Sequence, residues 1–111
     1  VEAYHNRKAD APSGTALLLA DAVKAKRPDA AYVFGRAGHH KRQPNEIGIH
    51  ALRMGNVVGE HEVIFATDSQ TITLKHQAHD RALFAEGALT AADFLVGQPA
   101  GLYHMDDLLG P

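Results

Sequence analysis

The 111 residues are 45% apolar and 22% charged, carry a net charge of -2 and contain no cysteine. That balance suits one compact domain with a modest core, and it argues against a general nucleic-acid binder. No apolar run approaches the roughly 20 residues of a membrane span, so no membrane partner is expected. A cysteine-free chain has neither disulfides nor thiolate metal sites, which fits a reducing, cytoplasmic setting.

Residues 1–6 read as a short strand feeding a basic loop with His5, Arg7 and Lys8, which Pro12 brings to an end. Residues 13–27 predict an amphipathic helix. Ser13 is its N-cap, and Gly14 leaves room for a ligand to approach the backbone. Leu18, Ala22 and Ala25 fall on one face with Leu19 and Val23 beside them, while Asp21, Lys24 and Lys26 face water. Pro28-Asp29 closes this helix. Residues 31–34 form a brief strand, and 35–45 a polar loop holding Arg36, His39, His40, Lys41 and Arg42.

Residues 46–54 alternate as one half-buried strand, and Gly55-Asn56 turns the chain. Strands over 57–66 and 71–78 follow, separated by a turn at 67–70, with His76 in the apolar phase and so expected in the core. Successive strands this close are expected to pair antiparallel. Residues 81–96 predict a second helix with Asp80 as N-cap and Gly97 and Pro99 as terminators. The order gives an α+β open sandwich: a mixed, mainly antiparallel sheet of about four strands with helices on one face. The other face is left bare and is expected to bury itself in an oligomer.

Chemistry concentrates between Tyr4 and Ala16. A helix N-terminus presents backbone N–H groups and a partial positive charge, suited to a carboxylate or phosphate. Lys8 and His5 lie just upstream and are candidates to converge on the same anion; an ordinary well-capped helix start would carry the same Pro-Ser-Gly-Thr text. Tyr4 and Lys8 also match the Tyr-x-x-x-Lys spacing of short-chain dehydrogenases. That chemistry needs a helix to bring i and i+4 together, and here the pair precedes Pro12 with no Gly-x-Gly-x-x-Gly in the chain, so the match is set aside. The eight histidines are scattered, without a helical His-x-x-x-His, and no metal site is expected.

The string Glu2-Ala3-Tyr4-His5-Asn6-Arg7-Lys8-Ala9-Asp10-Ala11-Pro12-Ser13-Gly14-Thr15-Ala16 resembles the signature of the dihydrodipicolinate (4-hydroxy-tetrahydrodipicolinate) reductase family, roughly E-x-H-H-x-x-K-x-D-A-P-S-G-T-A. Gly55-Asn56-Val57-Val58-Gly59-Glu60-His61 resembles its G-x-x-V-G-E-H block. Gly101-Leu102-Tyr103-His104-Met105-Asp106-Asp107-Leu108-Leu109 resembles its C-terminal G-L-Y-x-M-x-D-x-L. The resemblance is collinear along the chain. It implies a substrate-binding and tetramerisation domain over 1–80, and a helix and tail over 81–111 that return to a nucleotide-binding domain. It also implies an oxidoreductase of diaminopimelate and lysine biosynthesis that uses NADPH or NADH on a small cyclic dicarboxylate. The chain lacks an initiator Met and a dinucleotide fingerprint, and reads as a fragment that is inactive alone.

On this resemblance His5, Lys8, Ser13, Gly14, Thr15 and Arg81 bind substrate, Tyr4 and Lys8 occupy the proton-donating positions, and Arg81 and Phe84 lie near the cofactor. For Phe84 plain core packing is an equal alternative, and Glu60-His61 reads as a loop hydrogen-bond pair outside the catalytic shell. One position departs from the pattern: Tyr4 stands where the family has the first His of its pair. A phenol is a weaker acid than an imidazolium, so Tyr4 reads as a working substitute, as the mark of a slow or non-catalytic dicarboxylate-binding module, or as an introduced change.

Overall fold

A computed structural model describes residues 1–110. The elements are β1 (Glu2–Tyr4), α1 (Gly14–Lys24), β2 (Ala31–Phe34), β3 (Glu46–Ile49), β4 (Ala51–Arg53), β5 (Gly59–Ala66), β6 (Thr71–Ala78), α2 (Ala82–Leu95) and α3 (Met105–Leu109). Two compact units divide the chain, Val1–His79 and Asp80–Pro111.

The first unit holds a mixed four-stranded sheet in the order β4-β1-β5-β6 and a two-stranded sheet of β2 and β3. The α+β class and the mixed four-stranded sheet are as expected; the pairing is not. Only β5 and β6 form a sequential antiparallel pair, running from Gly59 opposite Ala78 to Ala66 opposite Thr71 across the turn that Thr67 N–H closes on the Gln70 carbonyl. β1 lies between β5, antiparallel, and β4, parallel; β2 and β3 are also parallel. The single strand expected over 46–54 is broken at His50. Its first half pairs with β2 and its second half with β1, and the His50 carbonyl accepts the Glu2 N–H at 2.9 Å where the chain changes sheets. Alternation continues through the break, so the pattern alone carries no sign of it.

Residues directly opposite on paired strands share a face, and faces alternate along each strand. The registers therefore put Glu2, Tyr4, Arg53, His61 and His76 on one side of the sheet. The start of α1 sits on that side through Ser13. Ser13 is buried, has extended backbone and accepts the Ala16 N–H on its hydroxyl at 3.1 Å, a side-chain N-cap of the expected kind.

That cap sets the rotation of the helix. Ala20 is buried and Ala16, Leu17 and Val23 are half-buried, whereas Leu18 is 71% exposed and Ala22 and Ala25 face outward. The inward stripe is thus rotated from the expected Leu18-Ala22-Ala25 face. A run of Leu17, Leu18 and Leu19 is apolar over more than half the helix circumference, so periodicity leaves its phase open. The helix ends at Lys24, and two further turn bonds, Lys26 N–H to Val23 and Arg27 N–H to Lys24, carry the chain on toward Pro28. The Tyr32 hydroxyl donates to the Asp21 carboxylate and ties β2 to this helix, which pushes the phenol's pKa up to about 12.

His76 is exposed rather than in the core, because no element of the first unit covers β6 at its position. The core of this unit is small-residue work: Ala3, Ala20, Ala30, Ile49 and Ala78 are its buried apolar members. On β5 and β6, Phe65, Ile72 and Leu74 are 45%, 55% and 63% exposed.

In the second unit, Arg81 is the N-cap residue of α2 but makes no side-chain cap bond. The capping is done by the expected Asp80, whose carboxylate accepts the Ala82 N–H at 2.8 Å. Gly97 takes a positive φ of 83° after the helix, as a glycine terminator does. Phe94 meets Tyr103 edge-on at 5.9 Å, and the Tyr103 hydroxyl donates to the Pro99 carbonyl. α3, which the sequence pattern did not reveal, is one short turn with a reciprocal cap between His104 and Asp107. Among the described residues no helix is long and apolar enough to cross a membrane.

Candidate active site

The site is built on a buried carboxylate. Glu2 lies on the central strand with 1% of its surface exposed, where an ionised side chain is tolerated only with partners on both oxygens. Arg53, opposite Tyr4 on β4, supplies them: its Nη1 bonds Glu2 Oε1, and its Nη2 bonds Glu2 Oε2 at 3.1 Å. The Ser13 N–H donates to Oε2 at 2.8 Å. Arg53 Nη2 also donates to the Asp10 carbonyl at 2.6 Å, so one guanidinium fixes β1, β4 and the loop between β1 and α1. Burial alone would raise the Glu2 pKa. The bonds from Arg53 and the Ser13 N–H outweigh it and hold the carboxyl below its ordinary 4.5.

Tyr4 is half-buried beside this pair. Lys8 Nζ lies 4.8 Å from its ring centroid and Arg53 Cζ 5.5 Å, two cations on one aromatic ring. The Tyr4 hydroxyl is 3.3 Å from His61 Nε2, and the same nitrogen is 3.1 Å from the Ser13 hydroxyl. Gly59 makes room for the ring, since a Cβ there would stand 3.2 Å from Tyr4 Cε1. Burial lowers the His61 pKa below its ordinary 6.5; Glu2 opposes that and His76 adds to it. The balance favours the uncharged imidazole.

Lys8 follows Tyr4 outside any helix, yet the loop folds it back, with the Lys8 N–H on the His5 carbonyl at 3.3 Å. Its ammonium is held by Asp10 at 2.9 Å, which also lowers the Asp10 pKa. His5 Nδ1 accepts the Arg7 N–H at 3.2 Å. At the helix start Ser13 has both polar groups engaged inside the protein. Gly14 and Thr15 are exposed, and no hydrogen bond among the described residues goes to their N–H groups. A Cβ added at Gly14 would meet nothing within 4 Å. Two backbone donors without a partner among the described residues therefore stand at the positive end of an eleven-residue helix.

Tyr4, His5, Lys8, Ser13, Gly14 and Thr15 all belong to the first unit. Arg81 and Phe84 lie in the second, where the Phe84 N–H bonds the Arg81 carbonyl and Phe84 is 57% exposed rather than packed in a core. A groove of about 700 Å³ starts at His61 and follows Ala16, Ala20 and Val23 along α1 above Val63 and Phe65. Its lining is mainly apolar, and it does not include Lys8, Gly14 or Thr15, so the polar chemistry lies at its edge. No group of three or more potential metal ligands occurs among the described residues. Sequence did not single out Glu2 or Arg53, and it placed Glu60-His61 as a loop hydrogen-bond pair outside the catalytic shell. Glu60 and His61 both lie on strand β5, where Glu60 bonds Gln77 and His61 meets Tyr4 and Ser13. Glu2 and His61 stand inside two of the three matched blocks, which was the available signal; Arg53 had none.

The family model described as "Dihydrodipicolinate reductase, C-terminus" matches residues 1–109. The chain belongs to that family. It is 54% identical over 110 residues to a 4-hydroxy-tetrahydrodipicolinate reductase of Clostridium tetani, covering 98% of this chain and 43% of the relative. The corresponding reductase of Caldanaerobacter subterraneus is 55% identical, with 98% and 44% covered, and that of Methanosarcina mazei 48%, with 99% and 41% covered. The chain thus spans less than half the length of these relatives. Among solved structures, a dipicolinate-bound dihydrodipicolinate reductase from Paenisporosarcina sp. TG-14 shares the fold at a TM-score of 0.73 and 24% identity, over 96% of this chain and 42% of that one.

Proposed function

We propose that this chain is the substrate-binding and assembly portion of an NAD(P)H-dependent reductase of 4-hydroxy-tetrahydrodipicolinate, in diaminopimelate and lysine biosynthesis. The observation that supports it best is the start of α1. There the Ser13 N–H already holds one carboxylate, that of Glu2, while the next two N–H groups remain free for another. In this reading Gly14 and Thr15 take a substrate carboxylate directly, and Ser13 supports them from beneath. Lys8 exchanges Asp10 for the ligand and places its charge near the ring nitrogen, with His5 beside it. Tyr4 stands at the proton-donating position. The nicotinamide supplies the hydride when bound; Arg81 and Phe84, an exposed cation and an exposed aromatic face one helical turn apart, suit contact with it. The 111 residues alone bind dicarboxylates weakly and reduce nothing.

The test places this chain in the matching segment of the Clostridium tetani relative and follows NADPH or NADH oxidation with fresh substrate, for Tyr4 and for Tyr4→His. Turnover by the unaltered chain is expected, rising in Tyr4→His. No turnover without Tyr4→His would favour the second reading, a dicarboxylate-binding or assembly module that has lost its proton donor. We also infer that the sheet is buried against other copies in a homotetramer through its face away from α1, where Leu52 and Ile64 are exposed. Light scattering should give a multiple of 11.9 kDa; a monomer mass at micromolar concentration would refute the assembly.

A further inference from the structure

We propose that His61 is a positioning residue for Tyr4: it holds the phenol against the first turn of α1, so that proton delivery and the anion-binding helix end share one nitrogen. The inference rests on the reductase reading above and deepens it.

The strand β5 is shaped around Tyr4 in two ways. Gly59 removes a side chain where the ring lies, and His61, two residues on and therefore on the same face, reaches the hydroxyl. The two rings meet edge-on at 5.5 Å and 76°. The cations of Lys8 and Arg53 lie over the Tyr4 ring, whereas His61 meets its oxygen, the one hydrogen bond to that hydroxyl among the described residues. The same Nε2 touches Ser13 Oγ, which is already the acceptor for the Ala16 N–H.

A neutral imidazole offers Nε2 either as one lone pair or as one N–H. As a lone pair it takes one of the two hydroxyl protons and leaves the other hydroxyl to point elsewhere. As an N–H it is shared by both oxygens, and both hydroxyl protons turn away from it. In the lone-pair state the direction of the Tyr4 proton depends on whether Ser13 takes the nitrogen, and in the N–H state the Tyr4 hydroxyl is held by its oxygen with its proton turned outward. The groups facing His61 are Glu2 and Tyr4 from β1, Ser13 from α1, His76 from β6 and the amino group of Val1.

The test has two arms. In the ligand-free chain carrying ¹³Cζ-tyrosine, the Tyr4 signal should show an inflection at the pH where the His61 ring titrates, below 6.5, and lose it in His61→Gln. In the chimera, His61→Ala should lower kcat on the order of tenfold or more while the inhibition constant of pyridine-2,6-dicarboxylate moves less than about twofold. His61→Gln, whose amide can bond both hydroxyls, should recover most of that loss, which also covers the case in which His61→Ala does not fold. A Tyr4 signal with no inflection, an unchanged kcat, or equal losses in Gln and Ala would overturn the inference. A wild-type chimera that neither binds the dicarboxylate nor turns over would overturn the reductase reading instead, and the Tyr4 inflection still decides whether His61 holds the phenol.

Discussion

Replacing Glu2 by Ala is expected to cost about 3–5 kcal/mol of unfolding free energy, read as a fall in the urea midpoint. The Arg53 guanidinium would be left largely buried without its counter-charge, and the Ser13 N–H would lose the acceptor it has in Glu2. The intact pair also sets an acid limit. A folded-state pKa below the ordinary 4.5 means that the stabilisation is complete above that pH and is lost as pH falls through the folded value. Wild type should therefore weaken steeply in acid, and Glu2→Ala much less so, because it has no such proton to take up. Equal slopes of stability against pH below 4.5 in the two proteins would show that the pair contributes nothing there.

Removing the Lys8 ammonium is expected to have the largest effect on function. Lys8→Met keeps an unbranched side chain of similar length and deletes the charge that lies over the Tyr4 ring. Pyridine-2,6-dicarboxylate should protect the Gly14 and Thr15 amides from hydrogen exchange in wild type and fail to do so in Lys8→Met. In the chimera, kcat/KM should fall on the order of a hundredfold or more, about the value of one charge-assisted contact in a water-excluded site. Protection that survives Lys8→Met would mean that the anion is held by the helix end without this lysine.

What the sequence revealed, and what it hid, follows from the range over which each interaction acts. The N-cap at Ser13, the β5–β6 hairpin and the Asp80 cap depend on residues a few positions apart, and all three were legible. The phase of α1 was not, because Leu17, Leu18 and Leu19 satisfy several rotations equally and the choice is made by Ser13 bonding Glu2 eleven residues upstream. The break at His50 and the parallel pairing of β4 with β1 depend on partners some fifty residues apart, such as Glu2 and Ala51. The site divided along the same line. Tyr4, His5, Lys8 and the helix start lie in one continuous stretch and were found together. Arg53 and His61 reach them only through the sheet, and in a strand pattern a buried charge looks like any polar residue on the outward phase.

The central place of β1 bears on how the domain is made. Strand β1 has both of its neighbours, β4 and β5, encoded about fifty residues later in the chain. Until Gly59–Ala66 has been synthesised, Glu2 has its arginine at best, and Tyr4 has no imidazole to meet. The placement of Glu2 and Tyr4 therefore has no folding route through local contacts alone. It is set together with the sheet, so a molecule that has completed its sheet has also fixed Ser13 and the start of α1 against it.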